Sequence, residues 1–398
     1  MLTNNNLAEM KNVLNCSGHA LKIPNIVNSE GVYLFYDNGK QYMDLESGVW
    51  CTALGHKNPR INKIIGKQIN STMHAGFCYS NNILDESAKS VLSITNLQDG
   101  KCVFLCSGSE AIDILRQISR HVTGKDKTLA LHDAYLGSFS SAINRNEGWH
   151  IFNWQKCKTC PQVNECDPAC VELQGIADDM AEFVFEPGSA SGYVRFPPRA
   201  LIQNLVKLVR NNGGKIIVNE VTTGIGRTGK WFGYQHYGIE PDMVAIGKGV
   251  GNGYPVSVAV LSSALVKDLE DKPFKYGQSH QNDPLGAAIV NEVIQVIDDD
   301  NLIGEAERKG EVFLSQLEKL VDDEIVLGVR GRGLMFGVDL LNAKIGDEIF
   351  DELIEKGFIV CNRGALFRID PPLTIAEAEF AEFIDAFTSI IASKKNAR

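Results

Sequence analysis

The chain has 398 residues, 44% of them hydrophobic, enough for one large domain or two packed ones. Its 39 basic and 49 acidic side chains give a net charge of −10 with no basic run, which argues against nucleic acid as a partner. No apolar stretch reaches the ~18 residues that a membrane span needs, and the opening "MLTNNNLAEMKNVL" lacks the apolar core of a signal peptide, so the expectation is a soluble cytoplasmic protein with reduced thiols.

In chain order, "KCVFLC" (101–106) reads as a strand, and "SEAIDILRQISRHV" (109–122) as a helix with Ile112, Leu115, Ile118 and Val122 on one face. "TLAL" (128–131), "EFVF" (182–185), "KIIV" (215–218) and "MVAI" (243–246) are further strands, and "RALIQNLVKLVRNN" (199–212) is an amphipathic helix between two of them. Strands alternating with helices predict an α/β fold with a mainly parallel sheet covered on both faces. From about residue 300 the texture changes: a helix over 303–320, a strand over 332–340, a helix over 346–357, "FIVCN", and a closing helix over 375–393. That segment predicts a smaller α+β domain.

The predicted strands end on polar residues. "FVF" ends at Glu186, "KIIV" at Asn219 and "MVAIG" at Lys248, while "VFLC" runs into "SGSEA" (107–111), a Ser/Gly turn that opens a helix. Ligands of parallel sheets sit at the carboxyl ends of the strands. A helix N-terminus with free N–H groups suits a phosphate, and a lysine at a buried strand end needs a partner or a covalent role. Each element alone has a simpler reading: "SGSEA" as an ordinary N-cap, Lys248 as a surface lysine, Glu186 as a helix cap. Together they point to a phosphorylated aldehyde cofactor held by a lysine as a Schiff base.

Ten cysteines divide into two groups. Cys16, Cys51, Cys78, Cys102, Cys106 and Cys361 are scattered and read as small buried hydrophobes. Cys157, Cys160, Cys166 and Cys170 crowd into "CKTCPQVNECDPAC", a polar loop. The choice there lies between free thiols and ligation of zinc or an iron–sulfur cluster. Ligation of one metal calls for several sulfurs within about 4 Å of one another, given metal–sulfur bonds of ~2.3 Å.

Over nearly its whole length the sequence resembles the class III pyridoxal-phosphate (PLP) aminotransferases of fold type I, of the 4-aminobutyrate/ω-amino acid kind. The resemblance rests on "YDNGKQYMDLESGVWCTALGHKNP" (36–59), "SGSEA", "AYLG" (134–137), the Glu186-Pro187 strand end, "NEVTTGIGRTGKWFGYQHYGIEPDMVAIGKGVGNGYP" (219–255), "RGRGLMFGVDL" (330–340) and "FRIDPPLTIAEAE" (367–379). It implies a large cofactor-binding domain over 51–295, a small domain over 296–398, and an N-terminal segment, 1–50, packed with the small domain. Lys248 would bind the cofactor covalently and carry the proton of the 1,3-shift. Gly108 and Ser109 would bind the phosphate, Tyr135 would stack on the pyridine ring, and Val221 would pack on its other face. Ser279 stands where the family has a threonine that reaches the phosphate of the neighbouring subunit, which implies a homodimer with shared active sites. The implied partners are a small-molecule amino donor and an oxo acceptor.

Two departures from the family pattern matter. Asn219 replaces the aspartate that keeps the pyridine nitrogen protonated, so the electron sink is weakened unless Glu186 helps. Ser191 replaces a glutamate gate whose partner is a C-terminal arginine, here Arg368. Without that gate, Arg368 is expected to be available to a substrate carboxylate or else salt-bridged within the small domain. Trp50 is expected to wall the substrate pocket or to sit in the core. The four-cysteine loop resembles a loop that holds an iron–sulfur cluster in some 4-aminobutyrate aminotransferase-like members. The resulting expectation is amino-group transfer from an amino acid or ω-amino donor to a 2-oxo acid or aldehyde. The alternatives are another PLP reaction, such as an aminomutase or racemase, or a weakly catalytic PLP- or cluster-binding protein.

Overall fold

The computed structural model describes residues 12–17, 21–23, 25–76, 78–189 and 192–396. At its centre is a seven-stranded sheet, in the order Lys101–Leu105, Ser257–Leu261, Met243–Ile246, Lys215–Asn219, Met180–Phe185, Lys127–Leu131 and Trp149–Phe152. The last five strands run parallel. Ser257–Leu261 is antiparallel to both of its neighbours. Burial on both faces explains why the strands read as continuous apolar runs: every residue of Met180–Phe185, Met243–Ile246 and Ser257–Leu261 is buried. The helices Gly108–Thr123 and Arg199–Asn211 turn apolar stripes toward this sheet, with Ile112, Leu115, Ile118, Leu201, Leu205 and Val209 all buried. The predicted strands and helices appear within a few residues of their expected limits. Ser257–Leu261 and Trp149–Phe152 were not predicted, because short runs carry little periodicity and pair only through tertiary contacts.

Two smaller sheets complete the mixed α/β architecture. In one, Ile26–Glu30, Tyr33–Tyr36 and Gln41–Asp44 are joined by Phe358–Ile359, which pairs in parallel with Met43 and Asp44, so both ends of the chain build one sheet. The other contains Val326–Gly331, Phe336–Leu340, Leu366–Ile369 and Cys361–Asn362. The single strand predicted over 332–340 is instead the second half of a hairpin. Gly333 at its turn has φ +56°, and a Cβ there would lie 2.4 Å from the backbone of Thr228 and Gly229. Only glycine allows that approach. Helices Leu302–Glu318 and Glu377–Asn396 lock together through Phe313 and Phe380, stacked with ring centroids 3.8 Å apart.

Among the described residues no helix is long and apolar enough to cross a membrane. Of the six scattered cysteines only Cys361 is buried; Cys51, Cys102 and Cys106 are half-buried, and Cys16 and Cys78 are exposed. The reading of all six as buried hydrophobes is therefore corrected to one. Ser191 and residues 1–11 of the polar N-terminal stretch lie outside the described residues.

Candidate active site

Glu186, Asn219 and Lys248 stand at the carboxyl ends of three adjacent parallel strands and open into one cavity of ≈ 980 Å³. Gly108, Ser109, Tyr135, Val221, Trp50 and Arg368 line the same cavity. Residues scattered over most of the chain thus converge, as strand-end geometry dictates. Ser279 is not among the lining residues; it lies exposed on the loop that precedes helix Pro284–Asp299.

Lys248 starts a short 3₁₀ turn and has φ +49°. Burial lowers the pKa of its amine; Cys51 and Glu186 act in the opposite direction. A desolvated amine loses its proton more readily and becomes a nucleophile. Its Nζ lies 4.6 Å from the centroid of the Trp50 ring.

At the cavity wall, Ser107 caps the helix Gly108–Thr123 in a complete capping box: its hydroxyl accepts from the Glu110 N–H, and Glu110 Oε2 accepts from Ser107 N–H at 2.8 Å. The ordinary N-cap reading of "SGSEA" is therefore correct for Ser107. It does not exclude the anion reading for Gly108 and Ser109, which begin the helix and line the cavity. A Cβ on Gly108 would stand 2.6 Å from Val221, so the helix start is pressed against that side chain.

Asn219 is buried, lines the cavity, and meets backbone groups through both atoms of its amide. Its Nδ2 donates to Tyr135 O at 2.8 Å, and its Oδ1 accepts from Val221 N–H at 3.2 Å. Glu186, also buried, accepts the Tyr135 N–H at 2.7 Å. The two strand ends therefore hold Tyr135, a residue 41% exposed, by its N–H and its carbonyl at the cavity wall.

The guanidinium of Arg368 also packs on Trp50, with Cζ 4.0 Å from the ring centroid. Arg368 is buried, donates to Cys361 Sγ at 2.7 Å, and lies 3.6 Å from Glu46 Oε1. The sequence reading missed Glu46. It precedes four consecutive residues with positive φ, namely Ser47 (49°), Gly48 (55°), Val49 (60°) and Trp50 (62°), a turn of left-handed helix. Such a turn costs L-residues roughly 1–2 kcal/mol each. It is held by the Ser47 hydroxyl, which donates to Asp370 O at 2.5 Å, and by Gly48 N–H, which donates to Asp44 Oδ2 at 2.8 Å. No signal short of the three-dimensional contacts marks this turn.

Comparison with known proteins gives this geometry its family. A family model described as "Aminotransferase class-III" matches residues 17–391. The chain belongs to the class-III aminotransferases. The chain is similar to a LysW-aminoadipate semialdehyde/glutamate semialdehyde transaminase of Sulfurisphaera tokodaii, 30% identical over 79% of this chain and 81% of that protein. It is 28% identical to an acetylornithine aminotransferase of Bacillus subtilis, over 92% of this chain and 94% of the relative. In fold it matches a taurine:2-oxoglutarate aminotransferase of Bifidobacterium kashiwanohense, solved with PLP and glutamate, at TM-score 0.86 and 22% identity over 94% of each chain. The class-III aminotransferase described here is thus a PLP-dependent transaminase of fold type I. Its cavity fits the cofactor: a buried amine with lowered pKa lies at one side, and a helix N-terminus with a tight glycine approach lies at the other.

The four-cysteine loop stands apart from this site. Cys157, Cys160, Cys166 and Cys170 all border a separate pocket of ≈ 60 Å³ with Phe152, Leu173 and Leu201. The loop is anchored by Trp154 Nε1, which donates to Asp133 at 2.8 Å, and by Asn204 Nδ2, which donates to Cys166 O at 2.6 Å. Among the described residues, the one group of three or more potential ligand atoms within 4.8 Å of one another is His74, His280 and Asp283. No three of the four sulfurs come that close, so the tight thiolate set expected for a single ion is not preassembled.

Proposed function

We propose that this transaminase works on donors whose reacting amino group is remote from a carboxylate, with a 2-oxo acid or aldehyde as acceptor, as a cytoplasmic homodimer. The named substrates of the relatives, acetylornithine and the aminoadipate and glutamate semialdehydes, support the ω-amino assignment. PLP, when bound, supplies an aldehyde and an electron-accepting ring. In this reading Lys248 Nζ, whose pKa burial lowers, would hold the aldehyde and would take up and return the migrating proton. Gly108 and Ser109 hold the phosphate at the helix N-terminus. Tyr135, fixed by Glu186 and Asn219, stacks on the ring, and Val221 supports the other face. Asn219 faces the pyridine nitrogen as a neutral partner, with Glu186 the nearby carboxylate. Trp50 and Arg368 shape the substrate side. Ser279 serves the neighbouring subunit, a role supported by its exposure outside its own cavity.

The observation that carries the proposal is the buried, pKa-lowered Lys248 amine sharing the Trp50 ring with Arg368. The test is a donor screen on the PLP-loaded enzyme. Ornithine- or 4-aminobutyrate-type donors are expected to convert the absorbance of the aldehyde form to that of the amine form, and 2-oxoglutarate to reverse it. An unchanged spectrum with every donor refutes the proposal. A dimer is expected by light scattering.

For Cys157, Cys160, Cys166 and Cys170 we propose a separate metal centre, iron–sulfur in preference to zinc. Convergence of all four on one pocket supports ligation. Absence of iron and zinc from enzyme purified without oxygen, with all four thiols titrating freely, refutes it.

A further inference from the structure

Asp283 occupies the N-cap of helix Pro284–Asp299, yet its carboxylate makes no capping hydrogen bond. An aspartate in that position ordinarily accepts from the N–H groups of the first turn. Here each of its oxygens meets an imidazole instead. Oδ1 faces Nδ1 of His74, and Oδ2 lies 2.6 Å from Nδ1 of His280, shorter than the usual N–H···O range of ~2.7–3.2 Å. The two rings are tilted, not stacked, with centroids 4.9 Å apart and planes at 47°. One donor atom from each of the three side chains lies within 4.8 Å of the other two.

The cluster joins two distant parts of the chain. His74 follows helix Pro59–Ile69, whereas His280 and Asp283 precede Pro284–Asp299. The second loop is held by Asn282, which has φ +60°. Its N–H donates to Phe104 O at 2.8 Å, and its Oδ1 accepts the Phe104 N–H at 2.9 Å. Both backbone groups of Phe104 belong to the edge strand Lys101–Leu105, so the sheet fixes the point from which Asp283 leaves. The Asp283 side chain is 17% exposed, and those of His74 and His280 are 39% and 59% exposed, which gives an ion a path from solvent. His280 and Asp283 also border a cavity of ≈ 210 Å³ that shares Cys106, Tyr254, Pro255 and Val256 with the wall of the active-site cavity.

We propose that His74, His280 and Asp283 bind one divalent transition-metal cation of the zinc type, at a site outside both the cofactor cavity and the four-cysteine loop. Two imidazole nitrogens and one carboxylate oxygen suit such an ion, whereas calcium and magnesium prefer oxygen ligands throughout. Zinc bonds of ~2.0–2.2 Å place tetrahedral donors roughly 3.3–3.5 Å apart, within the span the three groups already occupy. The metal takes the place of the Nδ1 protons, and each neutral ring carries its proton on Nε2. One carboxylate and two neutral imidazoles leave a net charge of −1 to attract the dication. Three protein ligands leave the remaining position to water. The bound ion ties the loop that carries Ser279 to the segment that carries His74.

The test is calorimetric titration of Zn²⁺ into the PLP-loaded enzyme after treatment with EDTA and dialysis, for wild type, His74→Ala, His280→Ala and Asp283→Asn. One zinc equivalent is expected to disappear, or to weaken at least about tenfold, in each variant, while zinc taken up by cysteines is common to all four proteins. With Co²⁺ in place of zinc, that equivalent is expected to show the d–d bands of nitrogen and oxygen ligation and no thiolate charge-transfer band. Asp283→Asn preserves side-chain shape, and thermal midpoints in EDTA separate loss of a ligand from loss of the fold. Zinc stoichiometry and affinity unchanged by the substitutions overturn the proposal. So does a thiolate band on the equivalent that the variants lose, or a wild-type enzyme that binds zinc only through its cysteines. The readout needs no turnover, so failure of the transamination reading leaves it intact.

Discussion

Replacing Asn219 by aspartate changes one atom group, and the structure predicts its cost. In the protein as it stands, Nδ2 donates to Tyr135 O at 2.8 Å in a site only 4% exposed. An ionised aspartate would put a carboxylate oxygen against that carbonyl oxygen, while the Val221 N–H bond to Oδ1 is kept. The lost hydrogen bond is worth about 1 kcal/mol and the stranded buried acceptor about 1–2 more, so Asn219→Asp is expected to destabilise the cofactor-free enzyme by roughly 2–3 kcal/mol at pH 8. A protonated carboxyl can donate to Tyr135 O, so the folded state raises the pKa of Asp above the ~3.9 of the unfolded chain. With the folded pKa raised, the contribution is fully present below the unfolded value and is lost as pH rises through the folded one. The deficit should therefore shrink from pH 8 to pH 5.5. Bound PLP should also shrink it, because a protonated pyridine nitrogen gives the carboxylate a partner. The assay is thermal unfolding of wild-type and Asn219→Asp enzyme, with and without PLP, at both pH values; a loss of roughly 3 °C is expected for the cofactor-free variant at pH 8. Equal midpoints for the two cofactor-free proteins at both pH values would falsify the assignment of the Asn219–Tyr135 bond. In the donor half-reaction the variant should react faster, and a slower reaction with PLP retained would show a site tuned around a neutral partner.

Lys248→Met should abolish covalent cofactor attachment and lower turnover by orders of magnitude. Because burial depresses the Lys248 pKa, its stabilising contribution is present above the ordinary lysine value and is lost as pH falls through the folded one. Cofactor-free Lys248→Met should therefore melt above cofactor-free wild type at neutral pH, by a margin that narrows as pH rises. The rate of PLP attachment to wild-type apoenzyme should rise with pH to a midpoint below the ordinary lysine value of 10.5, and a midpoint at or above it would show that Lys248 is solvated. Gly108→Ala places a methyl 2.6 Å from Val221, so PLP affinity should fall at least tenfold, measured by equilibrium dialysis, with far-UV circular dichroism retained. Gly333→Ala meets backbone at 2.4 Å and has φ +56°; a loss of several kcal/mol is expected from chemical denaturation, and an unaffected midpoint would contradict the hairpin packing.

The residue pattern alone determined what depends on local periodicity and strand-end chemistry. The parallel strands, the phosphate-suited turn at Gly108, and the polar ends Glu186, Asn219 and Lys248 are legible because a strand buried on both faces is an apolar run that must stop where a ligand begins. The family motifs marked Ser109, Tyr135 and Val221, which line the same cavity, in the same local way. Tertiary structure alone decided what depends on residues far apart in the chain. The antiparallel strand Ser257–Leu261 earns its place only through its two neighbours. The parallel pairing of Phe358 with Met43 joins the two ends of the chain. That joining brings Leu366–Ile369 beside the Ser47–Trp50 turn, where Ser47 bonds Asp370 O and Glu46 meets Arg368. A left-handed turn leaves no hydrophobic period to read, since long-range contacts offset its local strain. The sequence therefore singled out Arg368, and only the folded chain could place Glu46 beside it.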